Sequence, residues 1–183
     1  MTKKKLTTKE NFNLAVQNQK KNNLVEAKKL YNKILNLHPK FIEAYNNLGL
    51  IYRSEGENAK AIQCYEKIIK INPNLIDAHN NIGIISQKLG KIKKAKECYE
   101  KIIKVDPNFI MAQYNLGLVL RQLGENEKAL NCFKKVIEIN PSKINAHNNL
   151  GITDADLGRY KEAIDCYIIA LKYDNKHKKA KEN

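Results

Sequence analysis

Every glycine and every proline in this chain falls on a 34-residue grid. Gly49, Gly83, Gly117 and Gly151 form one column, Gly56, Gly90, Gly124 and Gly158 a second, and Pro39, Pro73, Pro107 and Pro141 a third. The stretch Ile42–Leu50 returns, edited, at 76–84, 110–118 and 144–152. A unit this short cannot enclose a core of its own, so each must bury its apolar face against its neighbours. The chain reads as one elongated repeat array rather than a globular domain of its length.

Within a repeat the apolar spacing is helical. Ala44, Tyr45, Leu48, Ile51 and Tyr52 share one helix face, and Ala61, Ile62, Tyr65, Ile68 and Ile69 share another. Two amphipathic helices per repeat follow. The first ends near Gly56, where a residue without Cβ can close a helix in the left-handed conformation. The second runs from about Asn58 to Asn72 and stops before Pro73, which disfavours helical geometry in the residue ahead of it. Gly49 lies inside the first helix, where glycine costs about 1 kcal/mol relative to Ala. Close approach of the paired helix, through the small column Ala61, Ala95, Ala129 and Ala163, is the expected compensation. In the first copy Ala15 and Asn22 stand in the two glycine columns, Asn being the next-best left-handed residue.

Tyr45, Leu48, Gly49, Tyr52, Ala61, Tyr65 and Pro73 fall on a pattern that resembles the tetratricopeptide repeat. The resemblance covers five tandem copies, 8–41, 42–75, 76–109, 110–143 and 144–177. It implies an all-α, right-handed superhelical solenoid of helix-turn-helix units, with the first helices lining a concave face that binds protein partners. Residues 1–7 form a basic N-terminal extension, and 178–183 the start of a capping helix or sixth repeat. So short a cap points to a longer protein, with a natural terminus as the alternative. Two departures stand out. Ile34, Ile68, Ile102 and Val136 occupy a late position where the family usually has Ala, and only Ala170 conforms. Asp154 replaces Tyr52 on a packing position, as expected of an exposed end.

The formal net charge is +14, and residues 1–41 hold ten Lys against Glu10 and Glu26. A basic first repeat admits nucleic acid or an acidic partner as an alternative function. With Arg only at 53, 121 and 159, nucleic acid is the less favoured partner. No apolar run long enough to span a membrane is present, and Met1–Thr7 lacks the apolar region of a signal peptide, so a cytoplasmic location is expected. Cys64, Cys98, Cys132 and Cys166 stand one repeat apart, too far for disulfides and without the close pairs of a zinc site, and are read as packing residues. His79 and His147 sit on packing positions, while Asp154 and Asp156, two apart on a helix, diverge. No enzyme, metal or cofactor is expected.

One polar column is unbroken: Asn13, Asn47, Asn81, Asn115 and Asn149. An Asn amide carries both donors and an acceptor, which suits the backbone of an extended peptide. The ladder resembles that of O-GlcNAc transferase arrays, which implies that role. One turn on, Leu50, Ile84 and Leu118 could grip side chains, and Arg53 and Arg121 could hold carboxylates. The alternatives are an Asn-rich composition for the ladder and packing between first helices for the apolar column. A clamp for chaperone C-termini is rejected, because its columns hold Phe12, Val16, Asp77 and Asn81. The expected function is a protein-interaction module binding an extended peptide in its groove. A substrate-docking region of a larger glycosyltransferase or sulfotransferase is the alternative.

Overall fold

The computed structural model describes residues 7–182, with the side chains of 7–174. Of the basic extension only Thr7 falls within that range, and Asn183 lies outside it. Ten α-helices occupy the described residues: α1 (Thr8–Lys20), α2 (Leu24–Leu37), α3 (Ile42–Ser54), α4 (Asn58–Ile71), α5 (Ile76–Lys88), α6 (Ile92–Val105), α7 (Ile110–Gln122), α8 (Asn126–Ile139), α9 (Ile144–Asp156) and α10 (Tyr160–Glu182). They divide into two compact units, Met1–Ile85 and Ser86–Asn183, with the boundary inside α5. In the first, α1 packs on α2, α2 on α3 and α3 on α4; in the second, α6 packs on α7, α7 on α8, α8 on α9 and α9 on α10.

Backbone chemistry sets the turns. Gly56 and Asn22 both take positive φ, 78° and 59°, as a left-handed closing residue requires. At the far end of the second helices, Asn72, Asp106 and Asn140 each accept a hydrogen bond from the backbone two residues on, at 3.2, 2.9 and 3.2 Å. That turn carries the chain past the proline. Asn175 stands where the fifth proline would be, and α10 runs unbroken to Glu182.

Each unit's core combines small residues, branched aliphatics such as Ile34, Ile68, Ile102 and Val136, and rings. Ala15, Ala27, Ala44 and Ala61 are fully buried in the first unit, around Tyr31 and Tyr65; Ala95, Ala112 and Ala129 play the same part in the second, around Tyr99 and Phe133. The partner of the buried glycine is one of these rings rather than the alanine column expected from sequence. A Cβ on Gly49 would lie 2.7 Å from Tyr65 Cζ, and one on Gly117 2.6 Å from Phe133 Cε1. At Gly151 the alanine contributes as well, through the Ala163 carbonyl at 3.0 Å, behind Tyr167 Cε1 at 2.8 Å.

A second column serves the turns. His79 Nε2 and His147 Nε2 lie 2.8 Å from the Pro73 and Pro141 carbonyls, and Gln113 Nε2 donates to the Pro107 carbonyl at 2.8 Å. A carbonyl only accepts, so Nε2 is the protonated nitrogen of both histidines. These histidines tie a helix start to the preceding turn.

Asp154 departs from expectation. It is buried, 6% exposed, because α10 packs over α9. Desolvation raises its carboxyl above the usual value, only partly offset by Lys134 and by Arg159, whose Nη1 lies 3.9 Å away. Cys64, Cys98 and Cys132 are buried and form no disulfide, and Cys166 is half-buried. Burial pushes the Cys64 and Cys132 thiols up to about 11.

Candidate interaction site

The ladder asparagines sit on the first helices at a constant register, and all but the exposed Asn13 are half-buried. Each half-buried member is hydrogen-bonded to the repeat before it. Two chemistries alternate. In the first unit, Tyr31 Oη donates to Gln19 Oε1 at 2.8 Å and accepts from Asn47 Nδ2 at 3.0 Å. One repeat on, Arg53 Nη1 donates to Asn81 Oδ1 at 2.6 Å, while Asn81 Nδ2 donates to the Asp77 carbonyl at 2.9 Å.

The second unit repeats the sequence of links. Tyr99 Oη donates to Gln87 Oε1 at 3.2 Å and is bonded to Asn115. Arg121 Nη1 then donates to Asn149 Oδ1 at 3.0 Å, with Asn149 Nδ2 donating to Tyr114 Oη at 2.9 Å and to the Asn145 carbonyl at 2.8 Å. Gln19, Arg53, Gln87 and Arg121 share one column. Where that residue is Gln, a tyrosine on the second helix relays its bond; where it is Arg, the longer side chain reaches the next asparagine directly. The tyrosine is then superfluous. Tyr65 Oη is buried without a partner among the described residues, and in the fourth repeat the position is Phe133. Desolvation pushes the Tyr65 and Tyr99 hydroxyls up to about 12.

Sequence reasoning placed Arg53 and Arg121 beside the ladder for a ligand's carboxylate. The structure sets both guanidiniums on ladder asparagines, with Arg121 Nε also 4.0 Å from Asp156 Oδ2. Leu50, Ile84 and Leu118 are half-buried on the same helix face, and Ile152 is 38% exposed.

Away from the ladder, lysines of the second helices reach the following repeat's turn. Lys28 pairs with Glu55 at 2.8 Å and Lys96 with Glu125 at 2.7 Å. Part of the basic charge of the first repeat is thus spent on stacking. Between α2, α3 and α4 lies a cavity of about 280 Å³, floored by Leu35, Leu48 and Cys64 and walled by Tyr45 and Tyr52. The Lys28 and Lys60 ammoniums stand 5.6 and 5.4 Å from the Tyr52 ring centre. Sequence periodicity assigned both tyrosines to the stack, whereas both remain half-exposed. Among the described residues no three His, Cys, Asp or Glu side chains gather as a metal site, and no helix is long and apolar enough to cross a membrane.

Tetratricopeptide-repeat profiles match residues 42–75, 76–109, 98–131, 117–155 and 144–177, an unbroken cover from 42 to 177. The chain belongs to the tetratricopeptide-repeat family. Solved structures agree. A crystal structure of MamA protein superposes with a TM-score of 0.86 at 25% identity, over 94% of each chain. MamA from Desulfovibrio magneticus RS-1 gives 0.83 at 20% identity, over 92% of this chain and 96% of that one. YrrB, described as a TPR protein with an unusual peptide-binding site, gives 0.81 at 24% identity, over 97% and 93%. At such identities the last two speak for the fold alone. No curated protein matches the sequence. Tetratricopeptide-repeat proteins bind protein or peptide partners, and this chain is a protein-interaction module of that kind.

Proposed function

We propose that the chain binds an extended peptide along the first helices of its repeats, the ladder amides meeting the peptide backbone and Leu50, Ile84 and Leu118 its side chains. The observation that carries this reading is that the ladder is held in place and half-exposed at once. Asn47 uses one N–H on Tyr31, and Asn81 one N–H and one lone pair on Asp77 and Arg53. An Asn amide has two N–H groups and two acceptor lone pairs. Each therefore retains capacity for a ligand. A side chain already fixed by its neighbours loses little rotamer freedom on binding, which favours affinity. Arg53 and Arg121 serve in this reading as positioning groups for the ladder. The ladder's resemblance to O-GlcNAc transferase arrays supports the same mode.

The test starts from peptides selected by random-peptide display against the intact chain, with affinity read by fluorescence anisotropy. Replacing Asn81 and Asn115 together by Ala should weaken binding several-fold, at about 1 kcal/mol per lost hydrogen bond. Unchanged affinity alongside reduced stability would make the ladder a purely structural device.

A further inference from the structure

The outer side of α10 carries an apolar stripe that no described residue covers. Tyr160, Ile164, Ile168 and Leu171 follow helical spacing and are 69%, 56%, 57% and 61% exposed, while Ala163 and Ala170, on the adjoining face of the helix, are buried at 3%. Stacking explains part of it. Ile164 stands in the column of Ile62 and Leu130, both buried. Ile168 does not fit that account, since its column otherwise holds Asn32, Glu66, Glu100 and Lys134. Ile169 stands where every other repeat has lysine, at 33, 67, 101 and 135. The last repeat has exchanged two polar surface positions for isoleucines.

The charges beside the stripe indicate what covers it. Asp165 and Lys172, about two turns apart, lie on one flank of α10, with Ile168 and Ile169 midway between them. A second α10 running antiparallel about a two-fold axis at that midpoint sets each Asp165 against the partner's Lys172, lays Ile168 on its own copy and brings Ile164 beside the partner's Leu171. An isologous interface requires such a self-complementary patch. An anionic bilayer is the poorer fit, because interfacial helices carry basic flanks and this one has Glu162 and Asp165 in its first half. We propose that the chain forms a two-fold homodimer through α10, with Ile164, Ile168 and Leu171 at its centre and the Asp165–Lys172 pairs at its rim.

Sedimentation velocity on the intact chain over a concentration series should show a species of twice the 21.0 kDa monomer mass. Ile168→Glu installs the residue that Glu66 and Glu100 already carry in this column, so the helix tolerates it, as circular dichroism would verify. It should raise the dimer dissociation constant at least about tenfold, as loss of a central anchor does. Asp165→Lys and Lys172→Asp should each weaken the dimer, and the two together should restore it. A monomer at every concentration overturns the proposal, as does a dimer indifferent to Ile168→Glu. Failure of the double exchange to restore association overturns it too, and so does a monomer that binds phosphatidylserine vesicles through Ile168.

Discussion

The Arg53 guanidinium donates to the Asn81 side-chain carbonyl across 2.6 Å, joining two repeats through residues 28 apart in sequence. Both side chains are half-buried, so the bond is shielded from full competition by water. Arg53→Ala should lower unfolding free energy by about 1.5 kcal/mol, the lower end for a hydrogen bond to a charged group. Urea denaturation of the two single variants and the pair with Asn81→Ala should give a coupling energy of at least about 0.5 kcal/mol. Simple additivity would mean that the contact contributes nothing to stability.

Tyr65 and Tyr99 occupy one column with opposite needs. The Tyr99 hydroxyl is bonded on both sides, while that of Tyr65 is buried without a partner among the described residues. Tyr99→Phe should therefore cost about 1 kcal/mol, whereas Tyr65→Phe should be neutral or stabilising, because it removes a desolvated hydroxyl. Thermal melts of the two variants side by side check this. Equal losses would contradict the alternation of links.

Asp154 gives the pH dependence a sign. Its carboxyl is raised in the fold by desolvation, so the folded chain holds that proton more tightly than the unfolded chain. Its contribution to stability therefore falls as pH rises from the ordinary carboxylate value through the raised one, and stays low above it. Asp154→Asn should raise Tm at neutral pH and have a smaller effect near pH 3, where the wild-type group is protonated in both states. A variant less stable at neutral pH would show that Arg159 outweighs burial.

The thiols should differ in reactivity. Cys64 and Cys132, raised to about 11 by burial, carry little thiolate at neutral pH. Cys166 is only half-buried. Iodoacetamide labelling of the native chain, read by peptide mass spectrometry, should modify Cys166 first and the buried Cys64, Cys98 and Cys132 at rates set by unfolding.

The period, the helix pairs and the turns were legible in the sequence because backbone chemistry enforces them locally: a residue with positive φ must stand at 56, and a proline ends the helix before it. The capping box between Thr7 and Glu10 was equally legible at its three-residue spacing, and hydrophobic patterning passed over it. What lay against Gly49 was not. Choosing Tyr65 over Ala61 depends on how the paired helices cross, and periodicity carries no crossing angle. Asp154 is buried because its column is a packing one, as Ser86 and Leu120 also show, and because α10 lies over α9; a place in the last repeat does not make it an exposed end. The ladder's position was legible, but its links to Tyr31, Arg53 and Arg121 span 16 to 28 residues and depend on side-chain reach.

Because Asn47 donates to a tyrosine and Asn81 accepts from an arginine, the same side chain can join either kind of predecessor. A repeat carrying this asparagine can follow a Gln–Tyr unit or an Arg unit without redesign of the joint. Duplication or loss of one of the first four repeats, which carry Gln19, Arg53, Gln87 or Arg121, would leave the next asparagine a partner of one kind or the other, so the column acts as an interchangeable coupling between repeats.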